Sequence, residues 1–275
     1  PDLPNVEIAS QIKLVSEPCL SWRRDLKHEI VEKGLIASVL VSGTFPRSCG
    51  ERAWPLSVFM DPARFSESVF RWVWSESGGV LRGRMRGGSV PADAVLFYRH
   101  ESEPLASLVR DMNKYSNNVM ARHLFLAISA ENGAGPGETK ATERVIGQWL
   151  KAKGIVAPEL VTDNGSGLSR EGRMSAATIA ALLRSAWASG VMPEMMASFP
   201  VLAVDGTLKL RRPSSAAARA HLKGGTLDGV QTQAGYVLDA RSRRWIVVMM
   251  INHPKANAAQ EALDALTEWV HARSP

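Results

Sequence analysis

The feature that most limits the fold is a change in the spacing of apolar residues near position 101, reversed near position 221. Strands bury every second side chain and helices one in three or four, so a chain that switches twice needs both a sheet and a helical layer. Val6, Ile8, Ser10, Ile12 and Leu14 alternate with polar or smaller residues, which suggests a half-buried strand. Ile36–Ser42 reads as another, ended by Gly43. Pro46, Pro55, Pro62 and Gly78-Gly79 punctuate the remainder, so the first hundred residues read as short strands among turns. Ser102 is then placed to cap a helix with Leu105, Leu108, Val109 and Met112 on one face. After a break near Tyr115, Val119, Met120, His123, Leu124 and Ala127 continue a second helical face. A third helix spans Glu138 to Lys153, with Val145, Ile146, Trp149 and Leu150 inward, and Ser175 opens a fourth that ends at Gly190. His221–Gly225, Val230–Leu238 and Trp245–Ile251 suit an antiparallel meander, followed by a helix from Ala256 to His271. The expected fold is therefore α+β: a domain over residues 101–275, preceded by a strand-rich region over residues 1–100.

Composition removes several function classes. The net charge of +6 favours acidic partners, but no stretch interleaves several Arg or Lys with aromatic residues. A basic nucleic-acid-binding protein thus stays only as a rival reading, and no nucleic acid is expected as partner. No run of about 18 apolar residues occurs, so no transmembrane segment is expected. The opening residues PDLPNVEIAS carry neither an initiator Met nor a signal segment, which reads as a processed chain or a piece of a longer one. Cys19 and Cys49 lack the company that metal ligation needs; they read as two buried thiols or as a disulfide. Neither a metal nor an organic cofactor is implied.

Two short patterns carry chemistry. Tyr115-Ser116-Asn117-Asn118 lies at the break between two helices, where an irregular backbone can turn Ser116 and Asn118 to the same cleft. Taken alone, S-x-N reads equally as a helix cap. Lys223-Gly224-Gly225-Thr226 lies on the first strand of the meander, where the glycine at 225 clears space for a ligand lying along the strand. Taken alone, it reads as a turn with a solvated lysine. His28, His100, His123, His221, His253 and His271 show no pairing with an acid that suggests a triad, and Gly165-Ser166-Gly167 is a tight turn rather than a nucleophile elbow.

Five blocks occur in order: Asp111–Arg122, Thr162–Arg170, Val204–Leu208, His221–Leu227 and Gly235-Tyr236. On these blocks the chain resembles the D-alanyl-D-alanine carboxypeptidase/endopeptidase family of the penicillin-binding protein 4 type, over residues 101–275 and more loosely over 43–100. The resemblance implies a penicillin-binding, transpeptidase-like domain and a serine-type peptidase of peptidoglycan stem peptides, inhibited by β-lactams and located in the periplasm. It assigns Ser116 a proton relay toward the leaving amine, and Asn118 a hold on the substrate backbone. Lys223 becomes a positive charge beside the substrate carboxylate, and the Thr226 N–H an oxyanion donor, with Gly225 beside it in the substrate site. In an oxidising compartment Cys19 and Cys49 are expected to be bonded.

Two departures from the family pattern stand out. Gly224 occupies the middle of the lysine motif, where the family carries a Thr or Ser hydroxyl, unless Thr226 replaces it. The nucleophile motif S-x-x-K occurs once, at Ser10–Lys13, in strand-like sequence that sends the two side chains to opposite faces. The nucleophile is therefore expected upstream of Pro1, with Ser10 and Lys13 as the lesser alternative, and this chain alone is expected to be inactive. A non-catalytic peptidoglycan-binding module with the same cleft is the other rival.

Overall fold

The computed structural model describes residues 3–273 except 4, 20, 21, 60, 134, 212 and 213. Its contacts divide the chain into two compact units, residues 1–98 and 99–275.

In the first unit, β1 (Val6–Val15) runs parallel to β3 (Ile36–Pro46), and β2 (Leu26–Lys33) pairs antiparallel on the other side of β3. Gly43 does not end its strand as expected: β3 continues through it to Pro46. A side chain there would meet the Asp25 carbonyl oxygen at 2.0 Å, so glycine lets the chain before β2 cross close to β3. Strands and turns do not account for the whole region either, because Pro62–Glu76 forms a helix, α1. The Asp61 carboxylate accepts from the Ala63 N–H, and Pro62 occupies the first helical position, where its missing N–H costs nothing. Pro62 starts a helix where a turn was expected. Cys19 and Cys49 form a disulfide.

The second unit opens with α2 (Leu105–Tyr115), α3 (Asn118–Asn132), α4 (Thr139–Ala152), α5 (Ala176–Trp187) and α6 (Met192–Ser198). Ser102 does not cap α2: the helix starts after Pro104, because the residue before a proline, Glu103, avoids the helical conformation. Ser175 does cap α5, accepting from the Thr178 N–H at 3.1 Å, and α5 stops at Trp187 rather than Gly190. Trp149 points to solvent, not inward.

The antiparallel sheet β4 (Ala220–Leu227), β5 (Val230–Leu238) and β6 (Arg244–Asn252) follows, then a short 3-10 turn and α7 (Gln260–Ala272). Strand alternation gives this sheet two faces. On one, Ala220, Leu222, Val237 and Val247 bury against Val270 of α7 together with Leu202 and Leu208. On the other, Tyr236 packs with Leu183 of α5 and with Phe199, and its hydroxyl donates to the Leu183 carbonyl at 2.7 Å. Lys223 shares this second face with Tyr236, because both alternate with the α7-facing residues. The sheet therefore anchors itself on α7 and presents Lys223 toward the helical layer.

Candidate active site

Ser116 ends α2 in the left-handed conformation (φ 54°, ψ 48°), and the Asn117 N–H reaches back to the Met112 carbonyl at 2.9 Å. The Asn117 side chain then caps α3, accepting from the N–H groups of Val119 and Met120 at 3.1 Å each. Two helices are thus joined through two non-helical residues, Ser116 and Asn117, which hold the Ser116 hydroxyl outside both. Asn118, half-buried, is the first residue of α3.

Lys223 comes from the sheet, 107 residues further along the chain. Its amine donates to the Ser116 Oγ at 3.0 Å and to the Gly224 carbonyl at 2.7 Å. Burial pushes this amine below the usual lysine value.

At Gly225 a side chain would meet the Thr232 hydroxyl at 2.7 Å, so the glycine keeps this stretch of strand flush. Thr226 turns its hydroxyl to Gln231 on β5 at 3.2 Å. That hydroxyl is engaged within the sheet and does not stand in for the one absent at Gly224. The Thr226 backbone behaves differently. Leu222 directs its N–H off the outer edge of β4 to the Pro200 carbonyl at 2.9 Å. Alternate residues of an antiparallel strand share that direction, so the N–H groups of Gly224 and Thr226 also leave by the outer edge. At Gly224 an added Cβ would find only the Thr232 carbonyl oxygen, at 3.7 Å, so the position has room for a side chain.

Ser10 and Lys13 are exposed on β1, opposite Val41 and Thr44 of β3, in strand conformation. They cannot share a face as a helical Ser–Lys pair does. Gly165-Ser166-Gly167 is a turn with positive φ at both glycines, and Gly165 packs against Phe125 of α3.

Residues that sequence reading passed over brace the site. The Lys114 amine bonds the Asp205 carboxylate at 2.6 Å and the Phe199 carbonyl at 2.7 Å; Asn113 bonds the Ser198 hydroxyl at 2.8 Å. Burial works against ionisation of Asp205, but the bonds from Lys114 and the Val201 N–H outweigh it and hold the carboxyl below its usual value. Arg170 donates to the Asp228 carbonyl at 2.8 Å, tying the 163–173 loop to the β4–β5 turn. The blocks containing these residues were visible; which side chain meets which was not. Among the described residues no group of three His, Cys, Asp or Glu could hold a metal ion, and no helix is long and apolar enough to cross a membrane.

Known proteins resemble both the sequence and the fold. Over 250 residues the chain is 29% identical to a D-alanyl-D-alanine carboxypeptidase of Actinomadura sp. (strain R39), covering 86% of this chain and 46% of that one. Over 165 residues it is 28% identical to the D-alanyl-D-alanine carboxypeptidase DacB of Haemophilus influenzae, covering 59% of this chain and 34% of that one. The chain thus spans less than half the length of these curated relatives. Among solved structures, penicillin-binding protein 4 of Haemophilus influenzae matches with a TM-score of 0.69 at 20% identity, over 98% of this chain and 62% of that one. That likeness establishes the penicillin-binding, transpeptidase-like α+β fold. Residues 21–273 match the model of one peptidase family. With that match spanning most of its length, this chain belongs to the D-Ala-D-Ala carboxypeptidase 3 (S13) family.

Proposed function

We propose that the chain forms the S-x-N and lysine-strand part of a serine peptidase that cleaves D-alanyl-D-alanine in peptidoglycan stem peptides through an acyl-enzyme. The observation that carries this reading is the 3.0 Å contact between the Lys223 amine and the Ser116 hydroxyl. In the reaction, a serine oxygen attacks the D-Ala-D-Ala carbonyl and the C–N bond breaks. The proton lost by that serine passes through the Ser116 hydroxyl to the departing amine, and water later cleaves the ester. Lys223 supplies positive charge for the substrate carboxylate, Asn118 holds the substrate backbone, and the Thr226 N–H, with Gly225 beside it, stabilises the oxyanion. Strand geometry at Ser10 and Lys13 argues that the nucleophile and its lysine come from sequence outside these 275 residues. The same strand geometry favours a second reading of this chain in isolation, a non-catalytic module that retains the stem-peptide cleft. β-Lactams, whose bicyclic amide mimics D-Ala-D-Ala, are the expected inhibitors. The Cys19–Cys49 disulfide supports a periplasmic location, since such bonds persist in oxidising compartments.

A fluorescent penicillin with peptide mapping tests the reading, applied to this chain and to the full natural protein. The expected result is no label on the 275 residues alone and a label on the full protein at a serine outside them, reduced on the order of 100-fold or more by Lys223→Ala. A label on Ser10 that Ser10→Ala abolishes overturns the placement of the nucleophile. A full protein that binds stem peptides but never acylates favours the non-catalytic module. Gly224→Thr offers a gain-of-function check: the restored hydroxyl should tighten penicillin binding roughly 10-fold, the worth of one hydrogen bond to a charged group.

A further inference from the structure

We propose that the Lys114–Asp205 ion pair, whose lysine is largely covered while its carboxylate is partly exposed, is a positioning device, fixing the last turn of α2 so that the Ser116 hydroxyl stays within reach of the Lys223 amine. The inference rests on reading Ser116 and Lys223 as parts of one site.

Three observations converge on it. First, Ser116 holds a left-handed conformation, which a non-glycine residue keeps only where its surroundings impose it. Second, the turn before it is gripped on several sides by one segment, residues 198–206. Asn113 bonds Ser198, and Lys114 bonds the Phe199 carbonyl and the Asp205 carboxylate. The main chain closes up as well, since a Cβ on Gly206 would lie 2.5 Å from the Lys114 carbonyl oxygen. Third, the same segment is bonded to the lysine strand. Leu222 donates to Pro200 and Leu202 to Ala220, both at 2.9 Å, and Val201 bridges His221. The second Asp205 oxygen accepts from the Val201 N–H at 2.8 Å, joining the two ends of the segment.

These contacts form a closed ring: Lys223, its strand, residues 200–202, Asp205, Lys114, Ser116, and back to Lys223. The Lys114 side chain is 11% exposed and that of Asp205 40%, so the desolvation cost falls mainly on the lysine. An apolar side chain would fill that space without the desolvation cost of an ion, whereas a charged pair with directed hydrogen bonds fixes one geometry. The step of the reaction assigned to Ser116 needs that geometry, because proton relay works only over hydrogen-bond distance. Lys114 is thus a positioning residue, two of its three protons being given to Phe199 and Asp205.

The test uses a readout that needs no activity. The 275-residue chain is labelled with 13C,15N-lysine, the Lys223 side-chain signal is assigned with Lys223→Arg, and its titration is followed in wild type and variants. The double variant Lys114→Met/Asp205→Asn removes the pair without changing net charge. The expected result is that Lys223 titrates higher, toward an ordinary lysine, as the turn loosens and water reaches the amine. Lys114→Arg, which can restore a paired cation, should return it part of the way. A folded double variant whose Lys223 titrates as in wild type overturns the proposal, whatever happens to its melting temperature. If the double variant does not fold, Asp205→Asn alone, which keeps a neutral acceptor, is scored by the same criterion. In the full natural protein the double variant should also acylate on the order of 100-fold more slowly, the cost of a misplacement near 1 Å, with unchanged initial binding of penicillin. A wild type that is never acylated defeats the peptidase reading, while the lysine titration still decides the positioning role.

Discussion

The two units of this chain solve the same stability problem with different means. In residues 99–275 the sheet is covered on both faces, by α7 on one and by α5 and Phe199 on the other, and Leu222, Tyr236, Val237 and Leu263 are almost fully withdrawn from water. In residues 1–98 the strands are as long, yet the buried apolar residues among those described are Ala37, Val39, Cys49 and Phe59. Ile8, Val31, Phe65, Phe70, Val73 and Trp74 remain exposed there, as does the run Val95-Leu96-Phe97-Tyr98. Strand ladders satisfy backbone groups but contribute little net free energy; burial of apolar area supplies most of it. The first unit therefore leans on its disulfide, and the second on its layers.

The difference can be broken from either side. Replacing Cys19 and Cys49 together by Ala should cost about 3–4 kcal/mol, the chain-entropy worth of a loop of that size. Hydrogen exchange should show amide protection lost from β1 and β3 while β4 to β6 keep theirs; equal loss in both units would contradict the comparison. Leu222→Ala should cost about 3 kcal/mol by opening a cavity between the lysine strand and α7. Chemical denaturation followed by tryptophan fluorescence measures that loss, and a near-neutral result would mean that the second unit's layers are looser than they look. Tyr236→Phe leaves the Leu183 carbonyl without its buried donor and should cost about 1–2 kcal/mol in the same assay.

Smaller effects appear as pH dependence. Hydrogen bonds from Ser175 and Thr178 hold the Glu159 carboxyl at about 2, below its ordinary 4.5. A depressed carboxylate contributes stability that is present above pH 4.5 and lost as pH falls toward about 2. Glu159→Gln should therefore flatten the acid limb of a melting-temperature profile. Lys223 works in the opposite sense. Its amine is depressed by burial, so the unfolded chain binds that proton more tightly, and stability rises as pH climbs from the folded value toward 10.5. Lys223→Met should remove this alkaline rise and leave the fold slightly more stable at neutral pH, at the expense of the site.

Much of this was legible in the sequence where a local rule decides the outcome. β5 was read at its true bounds, and β1 to within a residue, because alternation is a property of neighbours. Ser175 was recognisable as a cap for the same reason. Pro62 misled because proline both breaks and begins helices; Asp61 before it, bonding the Ala63 N–H, was the cue that distinguishes the two. Strand β2 is hard to see in the sequence because His28 and Glu32 interrupt the apolar stripe that Leu26 and Ile30 begin. At the site, Ser116, Asn118, Lys223, Gly225 and Thr226 stood out through ordered motifs. Lys114 and Asp205 lie inside the same blocks, but their contact spans 91 positions and follows from packing, which no spacing rule encodes.

The outer edge of β4 carries one more consequence, about self-association. An edge strand with free N–H and carbonyl groups invites a second copy of the protein to extend the sheet, and long open edges are a route to aggregation. Here residues 200–202 cover the first half of that edge, through Pro200 to Leu222 and Leu202 to Ala220. Among the described residues, no strand lies beyond the second half, Gly224 to Leu227. An opening about four residues long is too short to seat a neighbour's strand stably, yet it spans on the order of 13 Å, enough for the end of a short peptide. Partial coverage thus acts as a length filter: it discourages edge-to-edge pairing between copies while leaving room for the kind of extended ligand the site is proposed to take.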